Sequence, residues 1–221
     1  MEAAWLNPRE RCVPTGPVIS AVELGLVEAF YRARPKLKPT PLYRLRGIAE
    51  ELGLAEILLK DESNRFGLNA FKILGVLYTF HRIMESRASN ETPIVVCASA
   101  GNHGRAVAWA AREFGFKARV YLPVGTAPAR VDAIAGEGAD VVGTDVGYEG
   151  SIQRVVRDAK REGWLIISDT SWQGYDEIPR WIMAGYTWMM AEAQAQWSPS
   201  PGPDVVIVQG GVGGLVCAGA S

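Results

Sequence analysis

Cysteine is sparse in this chain. Three cysteines, Cys12, Cys97 and Cys217, are spread over 221 residues. An odd, widely spaced set excludes a disulfide framework and a dense metal cluster, and it fits reduced thiols in a cytoplasmic protein. Cys97 sits in an apolar run and reads as a small core residue. No apolar stretch is long enough to span a bilayer. The start, Met1-Glu2-Ala3-Ala4-Trp5, lacks the basic end and apolar middle of a secretory signal. A surplus of charge is also missing. The net charge of -1 argues against nucleic acid or a membrane surface as a partner. Internal repeats are absent. What remains is ordinary for a soluble globular protein, with 48% hydrophobic and 21% charged residues, and enough length for one large domain or two small ones.

The pattern along the chain is that of an α/β protein. The first forty or so residues are punctuated by Pro8, Pro14, Pro17, Pro35 and Pro39, with a short helix expected from Ser20 to about Arg32. Ile57-Leu58-Leu59 reads as a buried strand, and a helix is expected from near Lys72 toward Met84. Residues 86–92 read as a loop. Strands are expected at Ile94–Ala98, Ala118–Leu122, Ala139–Val142 and Trp164–Ile167, with helices at 104–114, 127–135 and 149–162 between them. Gly115 and Gly163 stop two of these helices. Strand alternating with helix means parallel strands joined by crossover helices, an open α/β sheet. A long helix from about Tyr175 to Trp197, a loop at 198–203, and a strand at Asp204–Val208 complete the reading.

Four segments carry candidate chemistry. The first is Lys60-Asp61-Glu62-Ser63-Asn64-Arg65-Phe66-Gly67-Leu68-Asn69-Ala70-Phe71-Lys72, followed by Ile73, Leu74, Val76 and Leu77. Burying an ammonium among apolar neighbours disfavours its charged form. A lysine that becomes neutral attacks carbonyls and holds a Schiff base, which is how proteins hold pyridoxal phosphate. A lysine at a helix start with its stem over apolar neighbours and its head in water satisfies the same pattern, and the residues alone leave both readings open. Lys60 has Asp61 and Glu62 directly after it and reads as a paired, protonated lysine.

The second segment is Gly210-Gly211-Val212-Gly213-Gly214, a glycine-rich turn between strand and helix. Backbone N–H groups there can close on a phosphate, or the turn can serve helix packing alone. No Gly-Lys-Ser/Thr follows, so it is not a Walker loop. The third is Ser99-Ala100-Gly101-Asn102-His103-Gly104, which follows a buried strand and opens a helix, where backbone donors can meet a substrate carboxylate. His103 reads either as a proton carrier or as a core or capping histidine, and His81 as structural. The fourth is Asp169, at the carboxyl end of an apolar strand, where open α/β sheets place their ligands. It reads as a general base or as a turn residue.

In this order the four segments resemble those of the fold-type II pyridoxal-phosphate enzymes, the tryptophan synthase β-like group, and within it the diaminopropionate ammonia-lyases. The resemblance runs from about Pro39 to Leu215. It includes Gly101-Asn102-His103-Gly104-Arg105 with Val107-Ala108-Trp109, and Asp169-Thr170 with Trp172, Gly174-Tyr175, Glu177-Ile178-Pro179 and Trp181-Ile182-Met183. It implies pyridoxal 5'-phosphate as cofactor, a small amino acid as substrate, and α,β-elimination of ammonia from 2,3-diaminopropionate to give pyruvate. By the same resemblance Lys72 bonds the cofactor and Asn102 contacts its ring oxygen. Ser99, Ala100, Gly101, Asn102 and His103 hold the substrate carboxylate. Gly210, Gly211, Val212, Gly213 and Gly214 hold the phosphate. Lys72 and Asp169 move protons. Three parts are implied: 1–78 in a larger domain, 79–173 as a smaller α/β domain, and 174–221 back in the larger one.

Two departures qualify this. The ammonia-lyases commonly carry an aspartate, linked to proton abstraction from the D-substrate, where this chain has Ala100. Ser-Ala-Gly-Asn runs also occur in threonine synthase- and dehydratase-like relatives, so a serine/threonine dehydratase-like reaction stays open. Family members also continue well beyond Ser221. The expectation is a C-terminally truncated fold. Such a chain is a fragment, a non-catalytic paralogue, or a protein completed by another chain, with a homodimer allowed.

Overall fold

A computed structural model describes residues 18–87, 92–198 and 201–221. Cys12, Pro8, Pro14, Pro17, the residues Met1–Trp5, most of the loop read at 86–92, and two residues of the loop read at 198–203 lie outside the described residues.

Among the described residues the first element is α1 (Ala21–Arg32), whose first turn is capped by Ser20 Oγ accepting from Glu23 N at 3.2 Å. A short antiparallel pair follows, β1 (Leu42–Arg44) with β2 (Leu58–Lys60), joined through α2 (Arg46–Leu52). Then come α3 (Lys72–Ser86), β3 (Ile94–Ala98), α4 (Asn102–Phe114), β4 (Lys117–Leu122), α5 (Pro128–Ala135), β5 (Asp140–Gly143), α6 (Tyr148–Glu162), β6 (Leu165–Ile166), α7 (Glu177–Trp197) and α8 (Gly214–Gly219). Strands β5-β4-β3-β6 form one parallel sheet in that order. The α/β class therefore holds, with a single parallel sheet among the described residues. No helix of the described residues is long and apolar enough to cross a membrane.

The sheet is apolar on both faces, as parallel strands between helices must be. Side chains alternate along each strand. Val95, Cys97, Ala118, Val120 and Leu122 join the main core with α3, α4 and α7. Val96 and Tyr121 face the other way and pack with Val155 and Ala159 of α6. Tyr121 enters that second core with its hydroxyl satisfied, donating to Asp158 Oδ2 at 2.9 Å.

Helices α3 and α7 cross almost backbone to backbone at two glycines. A Cβ on Gly75 would stand 2.5 Å from the Ile182 carbonyl oxygen, and one on Gly185 would stand 2.6 Å from that of Leu74. Backbone cannot yield as a flexible side chain can, so any larger residue drives the helices apart. Gly185→Ala is expected to cost about 1–3 kcal/mol, read as a lower urea midpoint. An unchanged midpoint would show that the crossing is not tight.

Several expectations are corrected. Residues 204–208 have no ladder partner among the described residues and form no strand. The apolar run suggested one, but pairing defines a strand, and Ile207 is 91% exposed beside exposed Val205 and Val206. The strand at 164–167 shrinks to Leu165–Ile166. Strand β1 and helix α2 carried no signal that the sequence reading used.

Lys60 is paired, though not with the acids that follow it. Its Nζ lies 3.0 Å from Glu192 Oε2 of α7, 2.7 Å from the Thr40 carbonyl and 2.8 Å from Gln196 Oε1. Burial lowers the Lys60 pKa, and Glu192 opposes that shift. Arg65 completes the cluster from a fully buried position. It forks onto Glu192, with Nη1–Oε1 at 2.8 Å and Nη2–Oε2 at 2.7 Å, and also donates to Glu62 and Thr40. This two-cation, two-anion cluster fastens the segment before Lys72 to α7. Between them, Phe66 and Gly67 turn the chain with φ of 54° and 81°, closed by Leu68 N donating to the Arg65 carbonyl at 2.9 Å. A positive φ at Phe66 is strained for a non-glycine residue, and the buried Arg65 beside it holds the turn in place.

Candidate active site

Lys72 is the first residue of α3, and its Nζ donates to Asp169 Oδ2 at 2.7 Å. Asp169 follows β6, and Ser99 follows β3, the neighbouring parallel strand. The site thus lies where the carboxyl ends of adjacent strands open, with two basic side chains converging on one carboxylate. His103, the second residue of α4, supplies the other, with Nδ1 3.9 Å from the same Oδ2. Its Nε2 contacts the Ile167 carbonyl at 2.9 Å. Burial pushes the Asp169 carboxyl up, but the charges of His103 and Lys72 outweigh it and hold the group below the usual carboxylate range.

The Lys72 side chain is 24% exposed, against 11% for Lys60. Burial alone would therefore single out Lys60 rather than Lys72. What distinguishes Lys72 is access together with an aromatic surround: its Nζ lies 5.4 Å from the Phe71 ring centroid and 5.5 Å from that of Tyr186. Cys97 of β3 is fully buried and its thiol is pushed well up by desolvation, consistent with an inert core residue.

The Ser99–Gly104 loop folds back on the first turn of α4. Gly101 N donates to Ser99 Oγ at 3.3 Å. A Cβ on Gly104 would lie 2.2 Å from the Ser99 carbonyl oxygen, so only glycine allows this approach. Ala100 packs half-buried against the core, and Asn102 is exposed at the start of the helix.

At the second loop, Gly213 has φ of 88° and Gly214 opens α8. A Cβ on Gly214 would sit 3.4 Å from Met183 Cγ and 3.6 Å from Tyr186 Cε2. The Tyr186 ring therefore borders both the glycine loop and Lys72. Gly210, Gly211 and Val212 are exposed, and the structure brings none of them onto the Lys72–Asp169–His103 group.

Two residues of this site had no role in the sequence reading. Tyr186 looks like any core position of a long helix. Tyr175 stood inside a recognised motif, but its task needed the structure. Its hydroxyl donates to the Ile166 carbonyl at 2.8 Å and accepts from Ser168 N at 2.8 Å, which pins the loop carrying Asp169. A cavity of about 440 Å³ lies elsewhere, between Lys36–Tyr43 and Asp61–Gly67.

A phosphorylated pyridine aldehyde needs an accessible amine, an anion-holding turn and nearby polar atoms. Lys72 would supply the amine. Gly104 lets the Ser99 loop close on the first turn of α4, and Gly213, with φ of 88°, turns the chain into α8. His103 Nδ1 and the Tyr186 hydroxyl are buried without hydrogen-bond partners. The residues present fit that group.

The comparisons agree. The family model described as pyridoxal-phosphate dependent enzyme matches residues 33–221. The chain is 38% identical over 217 residues to a diaminopropionate ammonia-lyase of Escherichia coli (strain K12), covering 91% of this chain and 54% of that protein. It is 38% identical over 231 residues to a diaminopropionate ammonia-lyase of Salmonella typhimurium (strain LT2), covering 94% and 57%. A crystal structure of the Escherichia coli diaminopropionate ammonia-lyase, in complex with an aminoacrylate–pyridoxal phosphate azomethine intermediate, superposes with a TM-score of 0.84. It is 38% identical and covers 91% of this chain and 55% of that one. The chain belongs to the pyridoxal-phosphate dependent enzyme family, whose cofactor is pyridoxal phosphate. It spans about half the length of the curated relatives it matches.

Proposed function

We propose that this protein is a lyase that eliminates ammonia from 2,3-diaminopropionate, yielding pyruvate and a second ammonia. The observation that carries the reading is the Lys72–Asp169 pair at 2.7 Å, set at the carboxyl ends of β3 and β6 with His103 beside it.

In this reading Lys72 bonds the cofactor, the glycines at 210–214 hold its phosphate, and Asn102 meets its ring oxygen. Pyridoxal phosphate supplies an electron sink for the bond broken at the substrate's α-carbon. Backbone donors of Ser99, Ala100, Gly101, Asn102 and His103 receive the substrate carboxylate at the mouth of α4. The Lys72 amine takes the α-proton, and Asp169 steers the ammonium that results. Phe71 and Tyr186 shield that exchange from water on the side of α7. In the same reading the described residues up to 78 and from 174 on belong to the larger domain and those from 79 to 173 to the smaller one, with the site at their junction.

Ala100 sharpens the expectation. A methyl group cannot take a proton, and Asp169 is then the carboxylate left to serve the site. The L-isomer is expected to react in preference to the D-isomer. The same residue favours the second reading, a serine/threonine dehydratase-like reaction.

Ammonia and pyruvate release from L- and D-diaminopropionate, L-serine and L-threonine, with pyridoxal phosphate added, separates these. Turnover of L-diaminopropionate above all others supports the proposal. Turnover of serine or threonine alone replaces it with the second reading. A bound cofactor with no turnover of any of them identifies a non-catalytic paralogue.

A further inference from the structure

His103 is buried, yet its Nδ1 has no hydrogen-bond partner. Buried polar atoms are nearly always satisfied, so this one needs a reason. Its geometry supplies one. Nε2 lies 2.9 Å from the Ile167 carbonyl, which only accepts, so Nε2 carries a hydrogen in either charge state. Nδ1 is therefore the atom that titrates. It lies 3.9 Å from Asp169 Oδ2, too far for a hydrogen bond and close enough for an ionic contact when the ring is protonated. A lone pair there would face a carboxylate, whereas a proton there would face its counter-charge.

The other groups around this contact leave the task to His103. From α3 comes Lys72, already on the same carboxylate. From β3 comes the buried thiol Cys97, from α6 Tyr148, and from the loop after β6 Tyr175, each raised first by burial and so neutral. From α7 comes the buried phenol Tyr186. Helix α6 otherwise turns Ile152, Val155 and Val156 toward His103 and Asp169. Arg105, on the same helix as His103, is taken by Glu137 at 2.9 Å.

Lys72 must lose a proton before its nitrogen can act as nucleophile or base. At that point Asp169 loses the positive charge 2.7 Å away inside a half-buried site, and burial would favour its neutral acid. We infer that His103 is the standing counter-ion of Asp169: a positioning residue whose Nδ1 proton keeps that carboxylate ionised while Lys72 is neutral. This rests on the proposed role of Lys72. Asp169 therefore stays an acceptor throughout, ready for the proton that Lys72 gains and gives up.

The test reads the imidazole directly. The chain has 2 histidines, so ¹⁵N spectra of the full protein with His81→Gln assign His103 without ambiguity. Titration is followed with and without added pyridoxal phosphate. The neutral form is expected to carry its hydrogen on Nε2. Asp169→Asn should lower the His103 midpoint by about one pH unit or more, because it removes the facing anion. Lys72→Met should raise it, because a competing cation leaves the shared carboxylate. Added pyridoxal phosphate should move the wild type in the Lys72→Met direction. A purely structural histidine would show neither opposed shift. A neutral form with its hydrogen on Nδ1, or a midpoint that ignores both substitutions, overturns the inference. If Asp169→Asn does not fold, the wild-type tautomer and Lys72→Met decide it. If the substitutions act while pyridoxal phosphate has no effect, the counter-ion role stands and the cofactor role of Lys72 is what fails.

Discussion

Lys72→Ala is expected to lower ammonia release from diaminopropionate by roughly a thousand-fold or more, with the long-wavelength absorbance of the bound cofactor lost as well. The substitution removes both the amine that would bond the cofactor and the group that would take the α-proton. Nothing nearby replaces it. Among the described lysines, Lys60 is the one buried enough to compete, and its ammonium is held by Glu192, the Thr40 carbonyl and Gln196. The fold should survive, because Lys72 sits at the first position of α3 with its side chain part-exposed, and His103 still faces Asp169. Far-ultraviolet circular dichroism matching the wild type, alongside lost absorbance and lost turnover, is the expected combination. Substantial turnover in Lys72→Ala would assign the chemistry to another residue.

The second large effect concerns stability. Arg65→Met is expected to cost about 3–5 kcal/mol, the range for removing one member of a buried ionic cluster. Arg65 is fully buried, and its guanidinium bridges Glu62 and Glu192. Without it, two carboxylates share a buried site with Lys60 as the remaining cation. Most of the cost is the unpaired charge rather than the lost bonds. Adding Glu192→Leu should therefore recover part of the loss, although it removes still more contacts. Urea unfolding of the single and double variants measures this. A double variant less stable than Arg65→Met by the full cost of Glu192→Leu alone would show that the two residues do not act as a pair. The segment released by Arg65→Met leads straight to Lys72, so reduced cofactor occupancy should accompany the lost stability.

Much of the fold was legible because its signals are local. The apolar runs at 94–98 and 118–122, the helical spacing of Ala106, Val107, Ala110 and Ala111, and stops at Gly115 and Gly163 all report on neighbours in sequence. The failures come where neighbours in space decide. Residues 204–208 have strand-like composition but no ladder partner among the described residues. Three-residue strands such as β1 are too short to show a period. The same division runs through the site. Lys72, His103 and Asp169 were each visible, because lysine, histidine and aspartate beside apolar runs stand out. Their meeting follows from no spacing or periodicity, since 97 residues separate Lys72 from Asp169, and only the family resemblance implied it. Glu192 as the partner of Lys60 and Arg65, and Tyr186 as the ring shared by Lys72 and Gly214, leave no trace in the periodicity of α7, which is apolar around much of its circumference.

The central claim is that Lys72 is the residue to which pyridoxal phosphate becomes bonded. Borohydride reduction of the purified chain with pyridoxal phosphate, followed by proteolysis and mass mapping, tests it most directly. The account predicts one phosphopyridoxyl label, on Lys72, lost in Lys72→Ala. A label on Lys60 or another lysine, or a folded protein that takes up none, would contradict it.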